Sequence, residues 1–102
     1  MTAPVSSAST LTPHELARKA AELALEKKAG DVVVLDLRDL SPVCDFFTIV
    51  TGDSETQVKA IVEHVEKGLR LAGEKPWHVE GAEGKRWVLR DYVHVVVHVF
   101  VD

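Results

Sequence analysis

The feature that most constrains this chain is a junction near its middle, where a β-rich run passes through one glycine into a capped amphipathic helix. Phe46 to Thr51 is aromatic and β-branched, the composition of a strand, and Gly52 ends it. In Ser54-Glu55-Thr56-Gln57 a serine stands where an N-cap is needed and a Gln follows three residues later, the pattern of a capping box. Val58, Ile61, Val62, Val65, Leu69 and Ala72 then recur at helical spacing until Gly73 and Pro76 stop the run. A strand feeding directly into a helix with one apolar stripe commits the chain to layers, with that stripe lying on a sheet.

The flanks extend this unit. Thr12-Pro13-His14-Glu15 combines a Thr N-cap, Pro at the first helical position and Glu closing a capping box, so a first helix is expected over about residues 13 to 28. Leu16, Ala20, Leu23 and Ala24 form its inner side, Lys27-Lys28 fall in the last turn, and Gly30 is placed to cap it. Val32 to Leu37 is a nearly unbroken apolar run, which predicts a strand covered on both faces, with Ser41-Pro42 in the loop after it. Beyond the second helix, Trp77 to Glu80, Arg86 to Tyr92, and Val93 or His94 to Val101 read as three short strands. The order α-β-β-α-β-β-β predicts an α/β (α+β) fold: one mixed five-stranded sheet, two helices packed on one face, the other face less fully covered. Trp77, Trp87, Tyr92 and Phe100 all lie in the strands expected to form that second face. Residues 1–11 carry no apolar period and read as a disordered leader, leaving 12–102 as a single domain.

Charge narrows the partners. Sixteen acidic against twelve basic residues give a net charge of −4, the wrong sign for binding nucleic acid by neutralising phosphates, so no direct DNA contact is expected and a basic protein suits the chain better. Cys44, the only cysteine, excludes an internal disulfide; the lack of a basic leader or long apolar run gives a cytoplasmic expectation with no membrane contact.

Catalytic readings find little support. Gly52-Asp53-Ser54 stands at a helix N-terminus where an anion can bind, but it has one glycine and an aspartate that would repel phosphate. His94 and His98 are four residues apart on a strand, roughly 13 Å at ~3.3 Å per residue, too far to share one metal ion. His64 and His78 lack neighbouring ligands at a recurring spacing, and Cys44 among apolar neighbours reads as a small buried hydrophobe. Asp36, Asp39, Asp45, Glu80 and Asp91 offer carboxylates for magnesium, yet Asp36-Leu37-Arg38 places Arg where the second carboxylate of a strand pair belongs. No catalytic residue, metal or cofactor is therefore expected. What remains is Glu80-Gly81 and Lys85 to Tyr92, where Trp87 is flanked by basic residues: either an interface anchor or a core tryptophan with solvated charges around it.

Taken together, Lys27-Lys28-Ala29, Asp31 to Leu37, Asp45-Phe46-Phe47 with Ile49 and Thr51-Gly52, Gln57 to Ile61, Glu80-Gly81, Trp87-Val88-Leu89, Asp91-Tyr92 and Val95 to Phe100 occur in an order that resembles the Iojap or ribosome-silencing-factor family, along nearly the whole chain from Leu16 to Val101. The resemblance implies a nucleotidyltransferase-like fold without catalysis and a homodimer. It also implies binding to the large (50S) ribosomal subunit through ribosomal protein uL-fourteen, where the small subunit would join, so that translation is repressed. Carried over by position, the partner-binding residues are Trp87, Val88 and Arg90, with Glu80, Lys85 and His98. Many relatives have Gly-Asp where this chain has Val93-His94, and many continue past the position of Asp102 with an acidic and aromatic tail. The rival readings are a residual nucleotide-binding or nucleotidyltransferase-like enzyme and a structural dimer module with another partner.

Overall fold

The computed structural model describes residues 11–81 and 86–102; the expected leader, apart from Leu11, and Lys85 lie outside them. The elements are α1 (Pro13–Glu26), β1 (Gly30–Asp36), β2 (Phe46–Gly52), α2 (Glu55–Leu71), β3 (His78–Glu80), β4 (Trp87–Asp91) and β5 (Val95–Val101), in the expected order. The strands form one sheet in the spatial order β1-β2-β5-β4-β3. β2 and β5 run parallel, and the remaining neighbours are antiparallel. This is the mixed α+β sheet expected of the sequence.

Both helix starts form as their residues dictate. Glu15 N–H donates to Thr12 Oγ1 at 3.1 Å and Thr12 N–H to Glu15 Oε1 at 2.9 Å, a closed capping box. At α2 the Gln57 N–H donates to Ser54 Oγ at 3.1 Å, but the Gln57 side chain differs from the expectation. Its Oε1 accepts from Asp53 N–H at 2.6 Å, while its amide donates to the carbonyls of Lys27 and Lys28 at 3.2 and 3.1 Å. One glutamine therefore ties the start of α2 to the end of α1.

The helix ends separate expectation from outcome. Gly73, at φ 91°, caps α2: its N–H donates to the Arg70 carbonyl and that of Glu74 to the Leu69 carbonyl, both at 2.9 Å. At α1 the left-handed residue is Lys28 (φ 61°), while Gly30 already belongs to β1. α1 stops two residues earlier than expected, at Glu26, so Lys27-Lys28 form the cap and not the last turn.

Both helices pack on β2 and β5. Leu16, Ala17, Ala20, Leu23 and Ala24 of α1 meet Val58, Ile61, Val65 and Leu69 of α2 over Phe46, Val50, Val95, Val97 and Val99, all buried. Thr48, wholly buried among them, donates its hydroxyl to the Ala17 carbonyl at 3.0 Å, so its own hydroxyl is not left unpaired. β1 corrects an expectation: it is an edge strand, with Val33 and Leu35 exposed, and not a strand covered on both faces. An unbroken apolar run has the same local pattern in either position, and strand order decides between them.

Candidate functional site

Strand alternation sorts the strand residues into two faces. Registers Val88↔Val99, Arg90↔Val97 and Thr48↔Val97 put these residues on the helix side. Trp87↔Phe100, Leu89↔His98 and Ile49↔His98 put the others on the opposite side. No described element covers that second side. It carries Val33 and Leu35 from β1, Phe47 and Ile49 from β2, Val96, His98 and Phe100 from β5, and Trp87 and Leu89 from β4. Trp87 and Phe100 each keep 38% of their surface exposed. An apolar face this continuous on a single chain is a candidate interaction surface.

Its centre is an aromatic cluster. Phe47 meets His98 edge-on, with ring centroids 4.6 Å apart and planes at 67°. His98 lies nearly parallel to Phe100 at 6.2 Å, and Trp87 stacks against both at 6.1 and 6.4 Å. The Trp87 indole Nε1–H donates to His98 Nδ1 at 3.2 Å. Burial pushes the His98 imidazole below its ordinary pKa.

The residues expected from sequence divide sharply. Trp87 and His98 lie together on the uncovered face, and Glu80, paired with Leu89, lies at its β3 margin, where its Oε2 is 2.7 Å from His78 Nε2. Val88 is buried in the core on the other side. Arg90 also points to the helix side, where its Nε–H donates to Glu66 of α2 at 2.8 Å. Period-2 alternation already separates Trp87 from Val88 and Arg90, so one flat patch cannot hold all three. Tyr92 departs from expectation too: it is buried on the core side, and burial pushes its hydroxyl pKa up. Phe47, Ile49, Val33 and Leu35 were not singled out by sequence. Their signal was alternation within β1 and β2, hidden because both faces of those strands are apolar.

The residues weighed for chemistry are engaged elsewhere. Asp36 is gripped by Arg38, with Nε–H to Oδ1 at 3.0 Å and Nη2–H to Oδ2 at 2.7 Å, which lowers its carboxyl to about 2. Cys44 is buried, its thiol directed at the Phe46 and His94 carbonyls, and burial pushes its pKa up. His64 contacts Glu26 at 2.7 Å, and His94 contacts Asp45 at 3.5 Å. Among the described residues no three His, Cys, Asp or Glu side chains converge as metal ligands. No helix among them is long and apolar enough to cross a membrane.

Fold and surface together define a two-layer α/β protein whose sheet is helix-covered on one side and apolar and bare on the other. The family model described as "Ribosomal silencing factor during starvation" matches residues 10–102, and the chain belongs to that family. A ribosomal silencing factor of Halalkalibacterium halodurans is 41% identical over 90 residues, 88% of this chain and 77% of the relative. The chloroplastic Iojap protein of Arabidopsis thaliana is 35% identical over 79% of this chain and 34% of its own length. A crystal structure of a Chromobacterium violaceum protein superposes with a TM-score of 0.85 at 35% identity, covering 89% of this chain and 76% of that one.

Proposed function

We propose that the protein docks through its uncovered sheet face on the large ribosomal subunit, at ribosomal protein uL-fourteen, and by its bulk keeps the small subunit from joining. The observation that carries this reading is the bare aromatic face centred on Trp87 and His98, in a chain whose family is defined by ribosome silencing. Tryptophan is the residue type most enriched at interface hot spots, and the net charge of −4 favours a basic protein surface over exposed RNA. A standard contact of about 800 Å² per partner would cover about an eighth of the 6179 Å² surface.

The mode of action is steric and non-catalytic, and needs no cofactor. The nucleotidyltransferase alternative has less support: the N–H groups of Asp53 in the strand-to-helix loop and of Gln57 in the first turn of α2 are already taken by side chains. Pairing of two copies belongs to the same proposal, on a patch separate from the docking face; sedimentation equilibrium measures it. The test of silencing is co-sedimentation with isolated large subunits, followed by small subunits at moderate salt. Binding together with fewer joined ribosomes is the expected result; no binding, or binding without effect on joining, would sink the proposal.

A further inference from the structure

The Trp87 indole N–H and the His98 Nδ1 lie 3.2 Å apart on neighbouring strands of the uncovered face. Nδ1 accepts that bond only when the ring is neutral and carries its proton on Nε2. Nε2 is itself buried and has no hydrogen-bond partner among the described residues. A buried unpartnered N–H costs stability that an aliphatic side chain in its place would avoid, so His98 is poorly accounted for as packing alone. Around it stand Phe47, Phe100, Ile49 and Leu89, which fix the ring plane and leave Nδ1 turned toward Trp87.

We infer that His98 is a positioning residue whose Nδ1 holds the Trp87 indole in place, so that the docking face offers its partner the apolar surface of the ring and not a free N–H donor. The inference rests on the docking proposed above and deepens it. A partner that fits such a face lays apolar surface over the indole; one that relies on an acceptor for the indole N–H does not. A preset ring also avoids the entropy of ordering a large side chain on binding.

Protonation gives the arrangement a signature. A proton on Nδ1 turns the acceptor into a donor facing another donor, and the bond to Trp87 is lost. Burial alone depresses the His98 pKa. Among the described residues paired across that face, the charged groups are Asp91 of β4 and the His78 and Glu80 pair of β3, while β1 and β2 contribute Val33, Leu35, Phe47, Ile49 and Thr51, none ionisable. The neutral ring is the form the fold prefers. The hold on Trp87 is therefore complete above the ordinary imidazole value of 6.5 and is lost as pH falls through the lower value in the folded protein.

Trp77 is 73% exposed, so a Trp77→Phe background leaves Trp87 as the sole tryptophan reporter. In it, Trp87 emission in the free protein and affinity for isolated large subunits are compared for the parent, His98→Leu, His98→Asn and Trp87→Ala. His98→Leu is expected to shift Trp87 emission and weaken binding about fivefold to tenfold, the scale of one net hydrogen bond. His98→Asn, whose Oδ1 offers an acceptor near the place of Nδ1, is expected to stay within about twofold. Loss of binding in Trp87→Ala with unchanged emission and affinity in His98→Leu overturns the inference alone. Parent affinity in Trp87→Ala overturns the docking reading and the inference with it. Should His98→Leu not fold, the parent decides: emission steady above pH 6.5 and shifting below it is expected, and emission unchanged through acid in protein that is still folded overturns the inference.

Discussion

The two faces of the sheet are built from the same strands, offset by one residue, and yet they have different chemistry. The helix side is small and dry: Val50, Val95, Val97, Val99 and Thr48 are at most 1% exposed. The other side is large and aromatic, and Phe47, His98, Phe100 and Trp87 shield one another only partly. Valines suit a sheet that two helices press from above, because branched side chains interdigitate with little rotamer entropy to lose. Aromatic rings suit a surface that is stable alone and still has apolar area to give to a partner. One face is closed by folding, and the other keeps apolar area exposed.

The largest test of this contrast cuts a similar volume from each side of the sheet. Ile61→Ala on α2 empties a wholly buried site and is expected to cost about 3 to 4 kcal/mol of stability. Ile49→Ala on the open, half-buried side is expected to cost about 1 kcal/mol. Urea denaturation reads both, and equal costs would make the second face a core in its own right. Trp87→Ala is next: at least about 2 kcal/mol lost in binding to large subunits, with the fold retained. A folded variant with unchanged affinity would remove Trp87 from the contact.

The turns give smaller effects. Gly81 has φ 82°, and a Cβ there would lie 2.4 Å from the Trp87 carbonyl oxygen, so the chain leaving β3 passes β4 only because position 81 has no side chain. Gly81→Ala should destabilise by about 2 kcal/mol in thermal unfolding. Val93 is a β-branched residue at φ 77° in the turn between β4 and β5, where His94 N–H donates to the Tyr92 carbonyl at 3.0 Å. The resemblance placed a glycine there in many relatives, and the geometry supplies the reason. Val93→Gly is expected to raise stability by about 1 kcal/mol without changing ribosome binding; a loss would mean that the valine's packing outweighs its backbone strain.

Much of this architecture was legible in the chain. Thr12 and Ser54 announced both helix starts through short-range hydrogen bonds that need no tertiary context, and Gly73 announced an end in the same way. The first helix's end was misread because Lys28 takes a conformation that glycine usually supplies. β1 was misread because it is left at the edge only by the pairing of its one neighbour, β2, with β5 far along the chain. At the candidate site, Trp87 stood out by type, but its bond to His98 joins residues eleven positions apart on different strands. Arg90 looked like part of the same patch because it is close in sequence, whereas its partner Glu66 is on α2.

The strand order has a bearing on how the molecule is made. β5, the last of the described strands to be synthesised, is the one inserted between β2 and β4. Until synthesis has passed Val101, the β1-β2 and β3-β4 pairs have no shared ladder, and α1 and α2 lack Val95, Val97 and Val99 beneath them. Closure depends on contacts distant in sequence, whose entropy is met before they stabilise anything, so folding should be late and cooperative. The face with Trp87, His98 and Phe100 comes into being in that same closing step, since two of those three residues are on β5 itself. Until β5 is in place, a nascent copy has not assembled the face that we propose docks on the ribosome.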